Sequence, residues 1–203
     1  MIRRETLDVS ALPNHAFGSR SIMWWCTMGI VAIEATVFVV TIASYFYLQG
    51  NEASWPPGNT RLPGLFWPTV NVAILLVSLF PNQKAKNAAE ALDAGKVRLW
   101  MVIADLFAVA FLIVRIFEYR HLNVSWDSNA YGSITWTLLS FHTVHLLTDF
   151  VDTITLTVLM FTPAEARDPR RFVDVAENAF YWYFVVLSWI PIYAVLYWSP
   201  RFL

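Results

Sequence analysis

Of 203 residues, 57% are hydrophobic and only 14% are charged, against about 25% charged in a soluble domain. The net charge of −1 comes without a basic stripe, so no nucleic-acid partner is expected. A single cysteine, Cys26, excludes an intrachain disulfide and thiolate clusters for zinc or iron–sulfur centres.

Residues 1–20 carry charge but have no short apolar core ending in a small-residue cleavage site. They are expected to form a retained cytoplasmic tail, not a signal peptide. Five apolar runs follow, at about 22–48, 65–80, 97–119, 134–161 and 179–198. At about 1.5 Å per residue each can cross a ~30 Å hydrocarbon layer, the second only just. Backbone groups in lipid must bond within their own segment, so the runs are expected to be helices. Aromatic residues make up 16% of the chain and gather near the run ends, where a membrane protein places its interfacial belt. The expected fold class is all-α: a polytopic membrane bundle of five transmembrane helices, one domain over residues 1–203.

Lysine and arginine set the expected orientation. Arg3, Arg4, Arg20, Lys84, Lys86, Lys96, Arg98, Arg167, Arg170 and Arg171 share one side if there are five crossings. Arg61, Arg120 and Arg201 fall on the other. Ten against three places the N-terminus inside and the C-terminus outside. This is the expected topology of a multi-pass protein of the bacterial inner (plasma) membrane.

The apolar runs hold a small set of ionisable groups. His142, His145, Asp149 and Asp152 in run four are spaced 3, 4 and 3 apart, which puts them on one stripe of a helix. Glu34 lies roughly 18 Å into run one at about 1.5 Å per residue, close to the bilayer middle. Such groups are costly in lipid unless they face protein, water or a partner. For Glu34 two readings stand, a proton-exchangeable or lipid-contacting carboxyl and a satisfied interhelical hydrogen bond. Arg115 and Glu118 are expected to pair or to snorkel outward. Asp105 needs a partner that its run does not supply.

A metal reading of His142 and His145 with Glu34, Glu118 or Asp149 is chemically open but weak. The Glu-x-x-His pairs of di-iron bundles are absent. Two histidines on one face of one helix cannot sandwich a haem. No phosphate loop, dinucleotide fingerprint or nucleophile–base motif occurs. No catalytic or metal residue is assigned.

Four segments, in order, carry a family resemblance. Run four reads SFHTVHLLTDF and resembles the Phe-His-x-x-His signature of haem–copper oxidase subunit III. Run one, WWCTMGIVAIEATVFVVTIASYFYL, is similar to that family's first conserved helix with its glycine and mid-membrane glutamate. Run three ends in Glu118-Tyr119, like the family's Glu-Tyr. Run five, YWYFVVLSWIPIYAVLYW, is similar to the terminal aromatic segment. Five runs match the short bacterial form of cytochrome c oxidase subunit III.

The resemblance implies an accessory subunit without redox centres, beside subunit I and with subunit II, in which haem and copper belong to the other subunits. It implies a cleft holding phospholipids, and a role in stabilising the catalytic subunit and supporting proton uptake. It carries the mid-membrane carboxyl to Glu34, the histidine pair to His142 and His145, and the Glu-Tyr to Glu118 and Tyr119. The chain departs at Tyr183 and Val186, where the family has His and Asp, and at Ser140 and Thr143, where it has glycines. Asp149 and Asp152 are additional acids. A subunit of a quinol oxidase or nitric oxide reductase, and a small autonomous transporter, are the alternatives.

Overall fold

The computed structural model describes residues 15–58 and 60–202. Arg3, Arg4 and most of the expected tail lie outside the described residues. Five long helices follow one another: α1 (Ile22–Gly50), α2 (Phe66–Glu90), α3 (Ala94–Arg120), α4 (Ala130–Phe161) and α5 (Pro169–Tyr193). A π-type segment, Ala194–Trp198, and a last turn, Ser199–Phe202, continue α5. No strand occurs among the described residues.

Side-chain caps set most of the starts by satisfying otherwise orphaned backbone donors. Ser21 accepts from the Met23 amide, Asp93 from Lys96, Asn129 from Gly132 and Asp168 from Arg170. Pro169 sits at the first position of α5, where no backbone donor is missed. Partly exposed Asp93 also pairs with Lys96 at 2.9 Å, which lowers its carboxyl pKa. Only Ala91–Asp93 separate α2 from α3, with Leu92 turning the chain at a positive φ of 56°.

The helices extend past the apolar runs wherever polar residues still suit a helix. α2 passes through Pro81 to Glu90, so Lys84 and Lys86 lie on a helix and not in a loop. α5 begins ten residues before run five, at its Asp168–Pro169 start signal.

Among the described residues, four segments are long and apolar enough to cross a membrane: α1, α3, α4 and Pro169–Phe202. α2, the run expected only just to cross, is not among them. Its polar residues Asn71, Ser78 and Asn82 all point inward and are buried. Asn71 donates to Glu118, Trp182 donates to Ser78, and Asn82 donates to the Ala179 carbonyl. The residues that dilute its apolarity therefore glue it to α3 and α5.

α2, α3, α4 and α5 form the packed body, and α1 leans on α4 and α5. The larger core runs from Leu122 and Tyr131 to Leu146 and is built on Phe111, Leu138, Trp189 and Tyr197. A second core near the other end uses Ala85, Ala88 and Ala89 of α2, whose small side chains let Met101, Met160 and Phe172 close over them. The only buried residues of α1 are Phe38, Thr41 and Tyr45, all in its second half. Its first half is more open, with Trp24 packing on Phe180 of α5 at 6.1 Å between ring centroids.

Gly132, in the first turn of α4, lies against the loop before it. A Cβ there would stand 2.2 Å from the Ser125 carbonyl oxygen and 2.9 Å from a Val124 methyl. Backbone cannot yield cheaply, so Gly132→Ala should destabilise the protein by about 1–3 kcal/mol. A thermal midpoint equal to that of the wild type would show that the loop yields freely.

Candidate functional site

Ionisable side chains occupy the bundle interior in three tiers. The first is centred on Glu118, which is buried in the last turns of α3. Its Oε2 accepts from Arg115 Nη1 at 2.9 Å and Asn71 Nδ2 at 2.6 Å. Its Oε1 accepts from the Tyr197 hydroxyl at 2.5 Å. Arg115 is equally buried; its guanidinium lies 4.0 Å from the Trp189 ring centroid and 4.6 Å from that of Phe111. Its Nη2 reaches His142 Nδ1 at 3.1 Å. Of the two outcomes expected for Arg115 and Glu118, pairing holds and snorkelling does not.

Tyr197 reaches this tier from the π-type segment three residues after Pro191. Proline removes a helical donor, and the wider turn changes the direction of the side chains that follow. Tyr119, beside Glu118, shares hydrogen bonds with Ser140 (3.0 Å) and Thr143 (3.3 Å). The two departures beside the histidine pair thus serve the Glu-Tyr motif. Val186 is core, and half-buried Tyr183 donates to Gln83.

The second tier joins three helices. Glu34 of α1 sits one turn before the buried Phe38–Thr41–Tyr45 stripe and is 30% exposed. Its Oε2 accepts from the Tyr181 hydroxyl at 2.5 Å and lies 3.0 Å from His145 Nδ1. Tyr181 and His145 Nδ1 are 3.2 Å apart. Phe38 and Phe184 pack edge-on against the His145 ring.

The third tier is acidic. Asp149 is buried; its Oδ1 meets Asn178 Nδ2 at 3.4 Å, and Oδ2 has no hydrogen-bond partner among the described residues. Asn178 also donates to Asp152 at 3.1 Å and accepts from Thr153 at 3.1 Å. Asp105 finds its partner in Thr157, at 2.7 Å. Of the four-residue stripe, His142, His145 and Asp149 turn into the protein and Asp152 is exposed at the edge.

A cleft of about 540 Å³ runs beside the second and third tiers, between the first half of α1 and helices α4 and α5. Thr27, Asp149, Asp152, Asn178 and Tyr181 line it, with the Arg171–Asp174 pair, 3.0 Å apart, among its walls. Apolar Ile30, Leu156 and Leu159 complete the walls. Among the described residues no group of three or more His, Cys, Asp or Glu could hold a metal ion.

Asn71, Asn178, Tyr181 and Tyr197 complete these tiers and were not singled out from sequence. Asn71 carried a usable signal, being a lone amide inside an apolar run. Asn178 lies one residue before the start set for run five.

A bundle of long apolar helices around paired and hydrogen-bonded ionisable groups defines a polytopic membrane protein. Its chain belongs to the cytochrome c oxidase subunit III family, whose family model matches residues 11–200. The cytochrome c oxidase subunit 3 of Thermostichus vulcanus is 28% identical over 174 residues, 83% of this chain and 83% of the relative. A probable cytochrome c oxidase subunit 3 of Mycobacterium tuberculosis is 31% identical over 172 residues, 81% of each. That of Corynebacterium diphtheriae is 29% identical over 181 residues, 84% of this chain and 85% of the relative.

Glu118→Gln keeps the shape of the first tier but leaves the Arg115 charge buried and uncompensated. Breaking such a pair from one side should cost about 3–5 kcal/mol. The double variant Arg115→Met, Glu118→Gln should lose less than the sum of the single losses. Additive losses in thermal midpoints would mean that the two residues are not coupled.

Proposed function

We propose that this chain is the accessory subunit III of a haem–copper terminal oxidase of the cytochrome c oxidase type, and that it carries no redox centre itself. It sits directly against subunit I in the bacterial plasma membrane, in a complex with subunit II. There it stabilises the catalytic subunit and supports proton uptake during aerobic respiratory electron transport. Haem and copper are held by those partners.

The observation that carries this reading is the family match over residues 11–200, joined to an interior that places Glu34, His142, His145 and Glu118 in hydrogen-bonded tiers. Five crossings with the N-terminus inside follow if α2 also spans. Its inward-facing amides and 25-residue length support that. Arg20, Lys84, Lys86, Arg98, Arg167 and Arg170 then share the inner side. The cleft beside α1 takes phospholipid, with acyl chains along Ile30, Leu156 and Leu159 and a headgroup near Arg171 and Asp174.

Mild solubilisation, capture of the tagged chain, a reduced-minus-oxidised spectrum and mass spectrometry of the companions test this role. Haem bands with a haem–copper catalytic subunit are expected; a colourless preparation without such partners would overturn it. In that complex, Glu34→Ala should leave initial oxygen reduction within about two-fold of the wild type (under 0.5 kcal/mol in barrier), while lipid retention or durability in turnover falls. Loss of the haem bands in this variant would instead make Glu34 a structural requirement of the catalytic core.

A further inference from the structure

The two histidines of α4 are three residues apart and share a face, yet their surroundings give them opposite capacities for moving a proton. We infer that they divide the interior: a proton-open segment, entered from the α1–α5 cleft, ends at His145, and a proton-tight segment begins at His142.

His142 has both ring nitrogens committed. Arg115 has only donors to offer, and its Nη2 lies 3.1 Å from His142 Nδ1. Nδ1 is therefore the acceptor and carries no hydrogen. Nε2 lies 3.0 Å from the Val185 carbonyl oxygen, which can only accept, so Nε2 holds the proton. The ring is fully buried, with Phe38 of α1, Phe111 and Arg115 of α3, and Val185 and Trp189 of α5 around it. His145 is its neighbour on its own helix. Among the described residues the one charge in contact with it is the Arg115 cation, which Glu118 holds from the far side.

To relay a proton, an imidazole takes one on one nitrogen and releases one from the other. Here Nδ1 faces a guanidinium that does not give up its proton in proteins. Nε2 faces an amide oxygen, too weak a base to carry a proton onward. His142 is a fixed Nε2–H tautomer and a seal.

His145 differs at both nitrogens. Nδ1 lies within 3.0 Å of Glu34 Oε2 and 3.2 Å of the Tyr181 hydroxyl. Nε2 is buried with no hydrogen-bond partner among the described residues. Around the ring are Glu34 and Phe38 of α1, Tyr181 and Phe184 of α5, and His142 and, one turn on, Asp149 of its own helix. A proton on Glu34 Oε2 can move to His145 Nδ1. This leaves a carboxylate that the Tyr181 O–H continues to hold, and the reverse step restores the acid. Asp152, at the edge of the cleft, and Asp149, deeper in it, share its lining with Tyr181, and Asn178 joins the two acids. Water in the cleft thus reaches Tyr181, whose hydroxyl contacts both Glu34 and His145, from the end where α5 starts, and His142 blocks passage to the other. The result is a one-sided proton store. It deepens the proposed role, because an oxidase consumes protons, but its geometry does not depend on that assignment.

The test is nitrogen NMR of the full chain, labelled with 15N-histidine and reconstituted in bilayers, between about pH 5 and pH 9, where a free imidazole changes charge. The four histidines are assigned with His145→Gln and with variants of His15 and His121. His142 should keep one neutral, Nε2-protonated signature throughout. The His145 signature should change with pH, and Glu34→Gln should shift or abolish that change without moving His142. An imidazolium or Nδ1–H signature on His142 at any pH in the range would overturn the seal. A His145 signal indifferent to both pH and Glu34→Gln would overturn the store. Neither result depends on oxidase partners, so the assignment as subunit III stands or falls separately.

Discussion

The buried Arg115–Glu118 pair is the interaction on which the rest of the bundle depends. Taking two charges out of water costs several kcal/mol each, and their attraction offsets this only when geometry and further hydrogen bonds complete both groups. Here Glu118 gains Asn71 from α2 and Tyr197 from the extension of α5, and Arg115 gains two aromatic faces and a histidine of α4. Four helices are tied at one level by groups that cannot be left unpaired in lipid. The relative positions of α2, α3, α4 and α5 follow from this knot, and close packing of Phe111, Leu138 and Trp189 fills the space around it.

The opposite half of the bundle is built on another principle. Asp105, Asp149 and Glu177 each keep one oxygen without a hydrogen-bond partner among the described residues, and hydroxyl or amide groups, not cations, are what the structure sets against the two aspartates. Buried carboxyls without cations are expensive to keep charged. Asp149 and Glu177 line the cleft, where water and lipid headgroups can approach, while the compensated pair lies in the closed half. The boundary between these two regimes is the His142–His145 step. Arg115 supports one histidine and Glu34 the other.

Much of this arrangement was legible in the residues, because lipid makes polar groups conspicuous. Glu34, Glu118 and the 3-4-3 stripe of α4 stand out against apolar neighbours, and each occupies a tier. The remainder was hidden for physical reasons. Apolarity marks the part of a helix that faces lipid, so it missed the first ten residues of α5 with Glu177, and it made α2, whose polar face turns inward, look marginal. Tyr181 and Tyr197 belong to an aromatic run in which packing and hydrogen-bonding tyrosines look alike. Only the crossing of α1 over α5, and the wide turn after Pro191, give those two hydroxyls a carboxylate each.

The same logic explains why Glu34 stands at the meeting point. On α1 the positions 34, 38, 41 and 45 form one stripe with spacings of 4, 3 and 4, a helical face. Its last three members are buried against the bundle, and Tyr45 is fastened beyond them by the Trp55 indole at 2.8 Å. No residue of α1 before Phe38 is buried. A helix buried along one half and only partly covered along the other, where Trp24 still meets Phe180, changes character within one turn, and Glu34 stands at that turn. Its carboxyl is held by Tyr181 and His145 on the protein side and keeps 30% of its side-chain surface exposed on the other. The mid-membrane acid therefore stands at the turn where one helix stops being buried, bonded to the Tyr181 hydroxyl whose side chain lines the cleft, and a proton site and a lipid site meet through that one tyrosine.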